Sequence, residues 1–219
     1  MVEWDEFIEP TDDESRWKTF NKMWDTYFSK GVIENNHLRM PLKHAFLGTI
    51  IPTCFNFDSV LCSARIPVFT IQNSGTGKSA GMKLIHRALE QMKVPSLYTT
   101  KVTDASLTGS FCEPKAGKPP IETIGLLKKY KFIAFDEGSV LLNEGPYNET
   151  LQTTLQTVLD DPGQVVRNLK YGEINYPTNT TIVTGSYIIP KMGEIILSRG
   201  LFQRFLTVYH HQSEEEIKV

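Results

Sequence analysis

The run Gln72-Asn73-Ser74-Gly75-Thr76-Gly77-Lys78-Ser79 stands directly after a short, nearly all-apolar segment, Ile66-Pro67-Val68-Phe69-Thr70-Ile71. It opens a stretch in which Met82, Ile85, Leu89 and Met92 recur at helical spacing. Glycines between a strand and a helix let backbone N–H groups curl around phosphate oxygens, and the helix N-terminus turns its partial positive charge toward the anion. A lysine there reaches the outer phosphates and the following hydroxyl ligates Mg²⁺. Ser74, Gly75, Thr76, Gly77, Lys78, Ser79 and Ala80 are the residues so placed. Phe132-Ile133-Ala134-Phe135-Asp136-Glu137 complements them, running from apolar residues into two carboxylates at a strand end, where ligands sit in open α/β sheets. Asp136 suits the hydration shell of Mg²⁺, with Ser79 as the second metal ligand, and Glu137 suits the polarisation of water. Lys78 and Glu137 are therefore the first catalytic candidates, and ATP with Mg²⁺ the expected ligands.

The elements that must position these groups alternate. Strands are expected at 66–71, 96–100, 132–135, 180–184 and 205–209, and helical patterns at 78–92, 121–130 and 147–159, the last with Tyr147, Leu151, Leu155 and Val158 on one side. Such alternation indicates an α/β fold, a three-layer αβα core around a central, mostly parallel five-stranded sheet. Ahead of it, Thr11-Asp12-Asp13-Glu14 offers capping oxygens for a helix whose Trp17, Phe20, Trp24 and Phe28 form one apolar face. A second helix is expected after Met40-Pro41. The division this suggests is an acidic arm and helical extension over 1–60, the core over 61–212 and an acidic tail over 213–219. Lys115-Ala116-Gly117-Lys118-Pro119-Pro120 is a basic surface loop, and Val165–Tyr176 reads as a hairpin.

The chain has 219 residues and a net charge of −2, but the charge is unevenly spread. Residues 1–15 hold seven carboxylates and no Lys or Arg, whereas residues 16–213 carry 22 basic against 15 acidic side chains. The excess of seven positive charges surrounds the phosphate-binding run. Cys54, Cys62 and Cys112 are odd in number and lack C-x-x-C spacing, which argues against a disulfide framework or a zinc site and for a reducing compartment. No apolar run reaches the ~20 residues of a membrane span, and no signal peptide opens the chain.

The glycine-rich run resembles a P-loop with one departure: Gln72 stands where the first glycine of the pattern falls. With the acidic pair, the strand Thr180–Ser186 and the segment Ser198–Leu206 in this order, the chain resembles the AAA+ branch of P-loop ATPases over about residues 60–212. In that family the third strand lies beside the acidic one and offers a polar side chain to the outer phosphate, a role for which Thr184 and Ser186 both stand as candidates beside a merely structural threonine strand. Arg204, then Arg199, are the candidates for an arginine that stabilises charge on a neighbouring subunit's nucleotide; each also reads as a surface ion-pair partner. The hairpin and the segments Thr103–Ser106 and Gly200–Leu206 are similar to parts of superfamily-three and phage or mobile-element primase-associated helicases. The resemblance implies a homo-oligomeric, hexameric ring acting on single-stranded or forked DNA, with Arg167 and Lys170 on phosphates, in the cytoplasm of a bacterial or archaeal cell and with a viral or mobile-element origin also open. A solvated hairpin face is the competing reading of that pair. Two other functions also stand, a loader or remodeller acting on a protein and a nucleotide-binding assembly module without turnover. No helical lid follows the last strand of this sequence, so either the lid is missing or the helices before residue 60 replace it.

Overall fold

Runs rich in β-branched and aromatic residues with no polar alternation are the mark of strands covered on both faces, and three of them lie at the centre of this protein. The computed structural model describes residues 12–31, 36–51, 54–57, 60–113, 118–143, 145–160 and 163–211. In chain order it contains helices α1 (Asp13–Gly31) and α2 (Asn36–Ile50), hairpin strands β1 (Cys54–Phe57) and β2 (Val60–Ser63), strand β3 (Val68–Gln72), helix α3 (Lys78–Gln91), strand β4 (Ser96–Thr99) and helix α4 (Asp104–Thr108). Then come β5 (Gly109–Cys112), β6 (Ile121–Ile124), α5 (Leu126–Lys129), β7 (Phe132–Phe135), a 3-10 turn (Gly138–Leu141), α6 (Pro146–Leu159), β8 (Gln164–Leu169), β9 (Gly172–Pro177), β10 (Thr181–Ser186), α7 (Met192–Ser198) and β11 (Leu206–His210).

Five strands form one all-parallel sheet in the order β11-β3-β10-β7-β4. These are the five expected strands, with boundaries within two residues. Strand β10 sits between the strand leading into the glycine loop and the strand ending in Asp136. Alternate side chains divide between two cores, as the two-residue period of a strand requires. Phe69, Ile71, Ile133, Phe135 and Ile182 pack with Leu107 of α4 and Leu151, Leu155 and Val158 of α6. On the opposite face Val68, Phe132, Ala134 and Val183 pack with Leu38, Leu42 and Phe46 of α2 and Met82, Ile85 and Leu89 of α3. The result is an α/β protein with helices on both faces of the sheet.

Several expectations change. Helix α2 begins before Met40 and carries Pro41 in its interior; because it shares a core with α3 and the sheet, residues 36–50 complete a layer of the core and are not an appendage ending at residue 60. The stretch 121–130 is not one helix. Ile121-Glu122-Thr123-Ile124 pairs antiparallel with Gly109–Cys112, and only Leu126–Lys129 turns helical, since the backbone groups of 121–124 find their partners across the hairpin. Tyr147 is 90% exposed in the first turn of α6, and Trp17 is 52% exposed, stacked on Phe20 with Lys43 over both rings. Asp12 caps α1: Oδ1 accepts the Ser15 N–H at 2.8 Å and Oδ2 the Ser15 hydroxyl at 2.7 Å, bonds that hold the carboxyl below its usual range. Residues 1–11, the loop residues 114–117, the acidic tail 213–219 and the side chains of Phe28, Cys54 and Cys62 lie outside the described residues. No helix among those described is long and apolar enough to cross a membrane.

Leu42 is 1% exposed between α2 and the sheet. Leu42→Ala should cost about 2–5 kcal/mol of unfolding free energy. Urea unfolding should show this as one shifted transition, whereas an independent N-terminal unit would give two.

Candidate functional site

Strand β3 ends at the buried Gln72 and the chain turns sharply into α3. Gly75 and Gly77 take φ of 81° and 83°, a left-handed conformation that a side chain strains and that lets the loop close over its own amides. Gly77 is the N-cap of α3. The Lys78 ammonium lies inside this loop, donating to the Gln72 carbonyl at 2.9 Å, the Asn73 carbonyl at 2.7 Å and Thr76 Oγ1 at 3.4 Å. Burial lowers its pKa, and the Asp136 carboxylate opposes that shift. Gln72 thus takes the place of the missing glycine as a strand residue, and its carbonyl helps to seat the lysine.

A cavity of about 510 Å³ opens above the loop at the C-terminal ends of the strands. Ser74, Gly75, Thr76, Gly77, Lys78, Ser79 and Ala80 line one side, and Asp136, Glu137 and Ser186 the other. Residues separated by more than a hundred positions in sequence therefore meet at one site. Lys83, Ser139, Gly185 and Tyr187 complete the lining. Of these, Lys83 was discoverable from the sequence, since it lies four residues after Ser79 on the same helix face. Among the described residues, none of α1 or α2 lines this cavity.

The acidic turn is held by backbone bonds to the neighbouring strand: the Asp136 N–H donates to the Thr99 carbonyl at 3.2 Å and the Glu137 N–H to the Thr100 carbonyl at 3.0 Å. Tyr98, from β4, donates its hydroxyl to Asp136 Oδ2. Burial raises the pKa of this phenol strongly, helped by its bond to the carboxylate and by the carboxylate's charge. Asp136 Oδ1 is buried and makes no hydrogen bond, which fits a carboxylate oxygen reserved for a cation. Among the described residues no group of three or more His, Cys, Asp or Glu is placed to hold a metal ion. The donors here are one carboxylate and one hydroxyl, Asp136 and Ser79, the sparse set typical of Mg²⁺ when water and substrate phosphates supply the rest of its shell.

Strand β10 separates the two hydroxyl candidates. Thr184 is fully buried and donates to the Phe135 carbonyl at 2.7 Å, while Thr70 donates to the Thr184 carbonyl at 3.4 Å. Thr184 therefore staples three strands together and is not available to a ligand. Ser186, two residues on, lines the cavity and bonds only to the carbonyl of Tyr187 at 2.9 Å. Between them Gly185 faces Lys78: a Cβ there would stand 3.3 Å from Lys78 Cδ and closer still to Thr70. The lysine stem lies where a larger residue would put its side chain.

The remaining basic candidates lie outside the cavity lining. Arg204 pairs with Asp160 of its own chain, Nε to Oδ1 at 2.5 Å, and donates to the Gly200 carbonyl at 2.9 Å. Arg199 donates to the Leu141 carbonyl at 3.0 Å, at the end of the turn that begins after Glu137. The hairpin forms as expected from β8 and β9, but its two basic residues part company. Arg167 is bonded to Asp104 and Thr108 of α4 and is largely covered, so it does not face outward; Lys170, 76% exposed at the turn, does. His86, which has no acidic partner close in sequence except by helical spacing, reaches Glu90 at 3.5 Å.

No protein-family model and no curated protein matches the chain.

The division of labour on β10 is open to measurement. Thr184→Val should cost about 1–3 kcal/mol, because a buried carbonyl loses its side-chain donor. Ser186 is also buried, but its hydroxyl bonds only to the carbonyl of the next residue, so Ser186→Ala should cost less, about 0.5 kcal/mol. Denaturant midpoints of the two variants would settle the assignment, and equal losses would reverse it.

Proposed function

We propose that this chain is a Mg²⁺-dependent ATPase of the AAA+ type that works as a ring-shaped, hexameric motor on DNA, as a replicative helicase or the ATPase module of one. The observation that carries the reading is the convergence of the glycine loop, Ser79, Asp136, Glu137 and Ser186 on one cavity at the C-terminal edge of a parallel sheet. The position of β10 between β3 and β7 supports the family, because it brings a third polar strand end level with the other two.

ATP enters as a substrate whose phosphates meet the amides of residues 74–80. Lys78, held in the loop by backbone carbonyls, shifts its donors to the outer phosphates, with no change of charge needed in the chain. Ser79 and Asp136 would hold Mg²⁺, which when bound would supply charge neutralisation on the phosphate oxygens. Glu137, exposed on the cavity wall, orients the attacking water, and Ser186 hydrogen-bonds either that water or the outer phosphate. Neither Arg204 nor Arg199 lines the cavity of its own chain, which supports supply of an arginine by the next subunit of a homo-oligomer. Arg204 is the first candidate, and its exchange from Asp160 to the neighbour's phosphate would tie hydrolysis to subunit movement.

DNA is the proposed track, with Lys170 at the tip of the β8–β9 hairpin as the phosphate contact. One observation favours the second reading, a loader or remodeller of a protein partner. With Arg167 turned inward, the outward residues of the hairpin include Val166, Asn168, Lys170 and Glu173, a face with no net charge.

Glu137→Gln should bind ATP as tightly as the parent chain and hydrolyse it at least about a hundred-fold more slowly, measured as retained radiolabelled ATP beside phosphate release. An inert nucleotide-binding module would show no difference between the two proteins. For the track, Lys170→Ala should weaken single-stranded DNA binding and reduce the slope of log affinity against log salt by about 1. Hydrolysis indifferent to DNA and stimulated by a protein would instead select the remodeller.

A further inference from the structure

Behind the lining of the proposed nucleotide cavity stands a phenol that the nucleotide reading leaves without a task, bonded to the lining residue Asp136. Tyr98 lies on β4, opposite Ala134 of β7, so its side chain reaches the end of the sheet beside the acidic turn. Its hydroxyl donates to Asp136 Oδ2, and the Ser79 side chain approaches the same phenol oxygen. Tyr98 therefore bonds to one of the groups that would hold the divalent cation and lies beside the other. Lys83 Nζ stands 5.1 Å from the centre of the phenol ring and also lines the cavity, so a cation rests on the ring face and confines it.

The two oxygens of Asp136 are in unlike states. Oδ2 carries the phenol bond, and Oδ1 is buried with no hydrogen bond. A carboxylate free to rotate about its side-chain torsions exchanges its oxygens and loses orientation. One anchored at Oδ2 presents Oδ1 in a single direction. Leaving a buried carboxylate oxygen unpaired is costly, and that cost is removed when a cation, directly or through its water, takes Oδ1.

We propose that Tyr98 is a positioning residue for the divalent cation, fixing Asp136 through Oδ2 so that Oδ1 faces Ser79 and the metal. The proposal rests on the nucleotide-site reading above and adds a residue to it. Outer-shell partners of metal ligands, when removed, typically weaken metal binding by about 10–100-fold, and Tyr98→Phe keeps the ring, its packing and its contact with Lys83 while deleting only the donor.

The test uses the full chain, a fluorescent ADP analogue and a titration of Mg²⁺. In the parent protein Mg²⁺ should tighten analogue binding. Tyr98→Phe should raise the Mg²⁺ concentration for half-maximal tightening by about tenfold, with analogue affinity in EDTA unchanged. Asp136→Asn should abolish the Mg²⁺ effect. An unchanged Mg²⁺ midpoint in Tyr98→Phe, or an equal loss of affinity with and without Mg²⁺, would overturn the role of Tyr98 while leaving the nucleotide site intact. A parent chain that fails to bind the analogue at all would overturn the site reading itself, and the Tyr98 proposal with it.

Discussion

Strand β10 pairs in parallel with β3 on one side and β7 on the other, and this double pairing is the constraint on which the remainder of the site depends. Its register sets Thr184 opposite both Phe69 and Phe135, and Ser186 opposite Ile71. The glycine loop, the acidic turn and the serine consequently leave the sheet at nearly one level. A slip of one residue in either pairing would exchange the two faces of β10, sending Ile182 and Val183 each into the core that now holds the other. Two cores oppose such a slip, since Val183 belongs to one and Ile182 to the other. The bonds from Thr70 to Thr184 and from Thr184 to Phe135 add a side-chain ladder to the backbone one. In this dry interior the hydroxyls of Thr70 and Thr184 each find a carbonyl, whereas that of Thr181 is buried without one.

Within that frame the charged groups are held short of neutralising one another. Lys78 gives its protons to loop carbonyls and Asp136 takes its bond from a neutral phenol. An ion pair between Lys78 and Asp136 would have satisfied both at the expense of the space between them. Neutral partners keep a cation and an anion apart across a cavity of about 510 Å³, polarised along one direction before any ligand arrives. This is the preorganisation that makes fixed charges effective in a partly dry site.

Much of this was legible in the sequence because the informative features are local. The glycine loop is read within eight residues, and strands buried on both faces announce themselves as unbroken apolar runs. The rest failed for one physical reason: it depends on which strands are neighbours. Thr184 and Ser186 point to the same face of β10 by parity, and only the length of β7 decides that the first lies inside the ladder and the second beyond it. Tyr98 gains meaning when β4 is placed next to β7. Arg167 looks like a hairpin cation until Asp104, 63 residues earlier, is seen beneath it. Ile121, Ile124 and Leu127 are spaced as in a helix, yet the amides of 121–124 pair with a strand that the sequence does not mark.

The contacts of α4 have a mechanical meaning. Arg167 of β8 grips Asp104 and Thr108, and Tyr176 of β9 donates to the Thr108 carbonyl at 3.0 Å, so both strands of the hairpin are fastened to one short helix. That helix is closed by a capping box between Thr103 and Ser106 and pinned to α6 through Thr154 on Asp104 at 2.5 Å. A few residues upstream the same chain carries the carbonyls of Thr99 and Thr100, on which the amides of Asp136 and Glu137 hang. The hairpin is thus fastened along its length, to α4 through Arg167 and Tyr176 and at its turn to the segment after α4, where Tyr171 donates to Glu113 at 3.1 Å. Because both strands share these anchors, a shift of α4 carries the hairpin with it as one piece, where a hairpin held by one strand alone would shear.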